Sequence, residues 1–192
     1  MHMTTSTHTK RIGFACKWAE INKKGEIASA EGLNTGGTTM AWANRNKRDI
    51  VEQKIIDVAK TNIVNTHALI KKVATLPDEL RMLRLTSDML SFYTHDDYTD
   101  FWQSQYMQDS LARWFAPLGE TARQNNVRLS FHPDQFVVLA SDRDEVVEKS
   151  IEVVFFVRVF TILIPLAWPV NMMESFKECR HQISSIKLTI DS

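Results

Sequence analysis

Cysteine pairs, glycine or proline tracts and a surplus of one charge are all missing from this chain of 192 residues. Its two cysteines, Cys16 and Cys179, stand far apart with no CxxC spacing. That argues against a zinc ribbon and against a disulfide framework, and it fits a reducing, cytoplasmic setting. Six glycines and five prolines are too few for a fibrous or low-complexity chain. Lys plus Arg and Asp plus Glu balance at 23 each, so no global basic bias announces nucleic acid. No GxGxxG or GxxxxGK(S/T) string follows any predicted strand, which removes the usual sign of a nucleotide cofactor. The start, MHMTTSTHTK, has no apolar stretch and reads as a polar disordered tail over residues 1–10, not as a secretory signal. The apolar run Val153–Val170 is broken by Arg158 and Pro165, so no membrane span is expected.

What is present is the composition of a packed globular protein, with 44% hydrophobic and 24% charged residues. Charge is unevenly distributed: from Lys10 to Lys72 there are 12 Lys or Arg against 6 Asp or Glu. Arg45, Lys47 and Arg48 cluster just before a predicted helix. They form either a basic patch for phosphates or a solvated helix start.

The hydrophobic pattern alternates between strand and helix. Arg11–Cys16 reads as a first strand, followed by a Gly/Asn/Thr-rich stretch through Thr39 that reads as a long loop. Ile50, Val51, Ile55, Val58, Ala59, Ile63, Ala68, Leu69 and Val73 predict a helix over 50–73. Leu80–Leu85 predicts a second strand, Ser87–Asp100 an acidic loop, and Trp102–Asn125 a second helix that Pro117 should kink or break. Arg128–Phe131 predicts a third strand. Ser141 with Asp144 resembles a capping box, opening a helix whose inner face carries Val146, Val147, Ile151, Val154 and Phe155. No hairpin signal such as Asn-Gly joins two apolar runs. Strand-helix alternation without hairpins predicts an α/β protein with a parallel sheet, either doubly wound or a TIM barrel.

In both architectures functional groups gather at the carboxyl ends of the strands. His132 directly follows the third strand, and Pro133 removes the next backbone donor. His95 occupies the corresponding loop after the second strand, among Asp96, Asp97 and Asp100, whose oxygens suit a hard divalent cation. The two histidines make a candidate metal site; each alone is more often an ordinary loop histidine. Gln135 and Phe136 place an amide and an aromatic ring at the same rim, where a ring can stack on bases and an amide can replace lost base-pair hydrogen bonds. A phenylalanine folded back into the core is the competing reading. Glu174, His181 and Asp191 sit in no strand-end context.

Four segments together, RIGFACKW, TTMAWANRNKRDIVEQK, RLTSDMLSFYTHDDYTDFW and RLSFHPDQFVVLAS, resemble the UV damage endonuclease family in order and spacing. The resemblance covers about residues 11–151 and implies the first three to four units of a (β/α) TIM barrel. It also implies a metal-dependent DNA repair enzyme that nicks damaged double-stranded DNA on the 5′ side of UV photoproducts, as a monomer, with divalent metal ions, typically manganese. By that resemblance His95 and His132 are metal ligands, and Gln135 and Phe136 stand on a Gln-Tyr pair that probes DNA opposite the lesion. Phe14 stands where many members carry an active-site tyrosine, so its hydroxyl is lost. Pro133-Asp134 replaces a Pro-Gly, adding a negative charge near phosphates. Residues 152–192 do not resemble the family's later ligand-bearing units and read as a foreign tail of a frameshifted or truncated product, in which incision is expected to fail. Two alternatives stand beside this reading: a non-catalytic DNA-binding remnant, and another metal-dependent TIM-barrel enzyme such as an abasic-site endonuclease or a sugar isomerase.

Overall fold

The computed structural model describes residues 10–86, 89–132, 141–148 and 150, with His132 described by its backbone. Three parallel strands form the central sheet in the order β1 (Phe14–Ala15), β4 (Met82–Thr86), β5 (Arg128–His132). The helix α2 (Arg48–Ala74) connects β1 to β4, and α4 (Gln105–Gln124) connects β4 to β5. The two helices pack against each other on one side of the sheet. The predicted strand-helix order is therefore observed.

Periodicity explains why α2 forms. Val51, Ile55, Ala59, Ile63, Leu69, Ile70 and Val73 return to one face every three to four residues and are buried. That face meets Leu83, Leu85 and Leu129 of the sheet and Leu111, Phe115, Leu118 and Ala122 of α4 in one core. Each large side chain so buried contributes about 1.5–3 kcal/mol. Asp49 in the first turn and Lys71 and Lys72 in the last complement the helix dipole.

Register sorts the sheet into two faces. Parallel partners share a side, so the pair Leu83 and Leu129 and the pair Leu85 and Phe131 face the helices. Arg84, opposite Ser130, and Thr86 fall on the other side. At the amino edge Arg11 donates to both Asp78 carboxylate oxygens at 3.1 Å and to the Asn126 carbonyl at 2.8 Å. The Asn126 amide in turn donates to Asp78 at 2.7 Å. One cluster thus ties the start of β1 to the turns before β4 and β5. Gly13 is required beside it: a Cβ there would lie 2.6 Å from the Met82 carbonyl oxygen.

Several boundaries differ from expectation. The stretch expected to be a loop holds an antiparallel hairpin, β2 (Ala19–Ile21) paired with β3 (Ile27–Ser29). Its turn runs Asn22-Lys23-Lys24-Gly25, with Gly25 at φ 79° and the Asn22 side chain accepting from the Lys24 and Glu26 amides. This three-residue type carries no Asn-Gly signal. A short helix, α1 (Met40–Ala43), follows, with the Thr39 hydroxyl accepting from the Trp42 amide at 3.3 Å. Pro117 does not end α4, which runs through it; the break falls earlier, at Ser104, between α3 (Thr99–Gln103) and α4. Ser104 takes extended backbone angles and caps the Met107 amide, so Trp102 belongs to α3. Residues 144–148 are helical, but the Ser141 hydroxyl accepts from Arg143, two residues on, and not in a capping-box pattern. Ile151, Val154 and Phe155 lie outside the described residues, as do the tails 1–9 and 151–192. Among the described residues no helix is long and apolar enough to cross a membrane.

One polar bridge crosses the α2–α4 interface, between His67 Nε2 and Thr121 Oγ1 at 2.7 Å. Burial first, and the Lys71 charge second, hold His67 below the usual imidazole range. The native state therefore keeps the ring neutral while the unfolded chain protonates more readily. This contribution to stability is complete above the unfolded value of about 6.5 and is lost as pH falls from there toward the lower folded value. Denaturant melts across that window should show a steeper acid loss in the wild type than in His67→Gln. Identical slopes would remove His67 from the account.

Candidate metal and nucleic-acid site

The carboxyl edge of the sheet is built from the segments that follow β1, β4 and β5. After β1, Cys16 donates its amide to the Arg84 carbonyl at 2.8 Å and adopts φ 66°, while the Lys17 amide turns back onto the Ala15 carbonyl at 2.7 Å. A non-glycine residue at the centre of such a three-residue turn is strained, a feature common at functional edges. Phe14, half-buried, shares a side of the sheet with Leu83 and sets its ring edge-to-face against Trp18 at 5.0 Å. Its described ring partner is therefore Trp18, on the helix-packed side.

The segment after β4 is dense in aromatic residues. Tyr93, Tyr98 and Trp102 are buried, and the Trp102 indole donates to the Ser91 carbonyl at 3.2 Å. His95 stands at the start of a 3-10 turn, Asp96–Tyr98, where its Nδ1 accepts the Asp97 amide at 3.3 Å. Its ring lies 6.3 Å from Phe92 and 6.2 Å from Tyr98, edge-on to both. The side chain remains 40% exposed. With Nδ1 accepting, the ring proton sits on Nε2; ligation of a cation through Nε2 needs the other tautomer. Nδ1–H would then face Asp97 Oδ2, 3.7 Å away, as the outer carboxylate that orients a ligating histidine.

The expected ring of carboxylates around His95 is smaller than the sequence suggested. Asp100 is taken by Arg48, whose Nη2 donates to its two oxygens at 2.5 and 2.7 Å. That hydrogen bond is the main reason the Asp100 carboxyl titrates below its ordinary range. Asp97 remains close to the imidazole. His132 ends β5 at the position paired with Thr86, and His95 lies further along, in the segment that follows β4. The donor chemistry, imidazole with carboxylate, suits a divalent ion. Among the described residues, however, no group of three His, Cys, Asp or Glu side chains is assembled. Gln135 and Phe136 lie outside the described residues.

The basic cluster is largely committed. Arg45 donates to the Ala41 carbonyl at 2.8 Å and Arg48 to Glu52 at 2.7 Å as well as to Asp100. Those bonds, led by Glu52, raise the Arg48 pKa above its ordinary value. The solvated helix start thus accounts for most of this cluster.

Sequence reading passed over Asn62. It is 1% exposed at the middle of α2, where its amide donates to the Gly36 and Met89 carbonyls at 2.7 and 3.0 Å and its oxygen accepts the Gly36 amide at 2.8 Å. It clamps the connection after β1 to the one after β4. A polar residue between Ala59 and Ile63 on an apolar face was the available signal.

Comparison with known proteins gives the same lineage as the motifs. A family model described as UV-endonuclease UvdE matches residues 10–163. The UV DNA damage endonuclease of Halalkalibacterium halodurans is 30% identical over 104 residues, covering 54% of this chain and 30% of the relative. That of Clostridium perfringens is 25% identical over 117 residues, covering 60% of this chain and 27% of the relative. The crystal structure of SacUVDE superposes with a TM-score of 0.61 at 20% identity, over 82% of this chain and 46% of that one, which is a likeness of fold. The chain thus spans less than a third of the length of these two curated relatives. With the family model covering most of its length and the ordered motifs falling inside that match, this chain belongs to the UV-endonuclease UvdE family.

Proposed function

We propose that this chain carries the opening units of a (β/α) barrel, over about residues 11–151, whose carboxyl edge takes part in metal-dependent incision of DNA on the 5′ side of UV photoproducts. The observation that carries the reading is that His132 ends β5 beside Thr86, the last residue of β4, and that His95 lies in the segment that follows β4. Family membership supports the chemistry, and the parallel order β1-β4-β5 with α2 and α4 as the connections supports successive βα units.

His95, with His132, would hold a divalent cation, manganese by family resemblance, while Asp97 accepts the Nδ1 proton and fixes the ring. Such an ion supplies charge to the scissile phosphate and lowers the pKa of a bound water. Gln135 and Phe136 would meet the DNA opposite the lesion, the ring stacking without the hydroxyl of a tyrosine. Residues 164–192, beyond the family-model match, are assigned no part in this site.

A second reading, DNA binding without cleavage, rests on the excess of Lys and Arg over Asp and Glu between Lys10 and Lys72. Incubating the chain with UV-irradiated and unirradiated duplex, with manganese or with chelator, separates the two. Nicks on the 5′ side of photoproducts that require manganese support incision. Salt-sensitive binding that ignores both lesion and metal, without nicks, supports the second reading and overturns the first for this chain.

A further inference from the structure

Arg48 opens α2 at the edge of the candidate site, where a free guanidinium would suit a phosphate. Its donors point elsewhere. Nε is bonded to Glu52 at 2.7 Å, and Nη2 is shared between the two oxygens of Asp100. The guanidinium carbon also lies 5.7 Å from the centre of the Tyr98 ring. Tyr98 stacks on Phe92 at 5.2 Å with 26° between the planes, and both rings present to His95. Arg48 and His95 are thus joined through two aromatic rings, although 47 positions separate them in the chain.

We infer that Arg48 is a positioning residue for His95, fixing the orientation of its imidazole through Tyr98 and Asp100, and not a phosphate contact. The physical need is clear from the local backbone. His95 sits in a turn with one long side-chain hydrogen bond, 3.3 Å, and a substantially exposed ring, so neighbouring rings must supply its orientation. Tyr98 is itself held by burial and by its stack on Phe92, and Arg48 lies near the ring as well. The planar guanidinium holds it twice, by lying near the ring and by binding, through Nη2, the carboxylate two residues further along. Lysine offers a charge but not the planar face that lies near the ring. This inference rests on the reading of His95 as a metal ligand only for its chemical consequence; the positioning itself is a matter of side-chain packing.

The test uses the whole chain and follows the His95 ring resonances by NMR in wild type, Arg48→Ala, Arg48→Lys and Asp100→Asn. The buried Trp102 indole resonance, fixed by its bond to Ser91, reports whether the fold is intact. Because these ion pairs are exposed and contribute little to stability, the fold should survive. The expected result is that Arg48→Ala and Asp100→Asn move the His95 ring signals toward those of an unstructured histidine, with Arg48→Lys intermediate. A titration with manganese chloride alone, read as line broadening at His95, should need about tenfold more metal in Arg48→Ala, the lower range for loss of an outer supporting group. Unmoved His95 signals in a folded Arg48→Ala would overturn the inference. So would a reduced salt dependence of duplex binding with His95 unmoved, which would make Arg48 a phosphate contact. If manganese fails to broaden His95 in the wild type while Arg48→Ala still moves the ring, the metal reading fails and the positioning role stands.

Discussion

Asn62→Leu is expected to lower unfolding stability by about 3 kcal/mol, a fall in melting temperature of roughly 10 °C. The side chain is nearly isosteric and suits a helix, so neither volume nor propensity is the cause. The cost arises because three backbone groups, the Gly36 amide and the Gly36 and Met89 carbonyls, lose their partner at once in a part-buried setting. Each unsatisfied group contributes about 1 kcal/mol or more. Thermal melts of the two proteins test this directly. A change under about 1 kcal/mol would mean that water or a shifted loop replaces all three bonds. Because Asn62 joins the segments after β1 and β4, hydrogen exchange should quicken first around residues 36 and 89.

His95→Ala should leave stability within about 1 kcal/mol of the wild type, the size of a lost helix-start cap, yet weaken manganese binding by about 100-fold or more. The two effects come from different atoms. In the structure Nδ1 accepts from the Asp97 amide, whereas under the proposed function Nε2 would hold the cation. His95→Asn separates them, because its side-chain oxygen can still accept from the Asp97 amide while its amide is a poor replacement for imidazole. The asparagine variant should therefore regain the melting temperature without regaining metal affinity. Calorimetric titration with manganese, alongside melts, reads both; wild-type affinity in either variant would remove His95 from the site.

Long-period features were the legible part of the sequence. The apolar positions from Val51 to Val73 forced α2, and the run Arg128–Phe131 forced β5, because burial of one face dominates both. The hairpin was not legible. Ile21 and Ile27 are 75% and 83% exposed, so no alternation between core and solvent marks β2 and β3, and the ribbon is held by its turn and by Asn34. Pro117 misled for the opposite reason: surrounding Leu111, Phe115, Leu118 and Ala122 bury enough apolar surface to carry α4 through a missing hydrogen bond. At the candidate site the sequence showed that His95 follows β4 and that His132 ends β5, but not which side chains meet there. The fate of Asp100 could not be read, because its partner Arg48 lies 52 residues away and only folding brings them together.

The Arg11, Asp78 and Asn126 cluster fastens three chain connections at the amino edge of the sheet, opposite the histidines. A base fixed in this way decouples the register of the strands from the sequence of the segments at the far edge. Exposed positions there, Asp97 among them, are then open to substitution at little folding cost, so a lineage can retune what the rim binds while inheriting the same three strands.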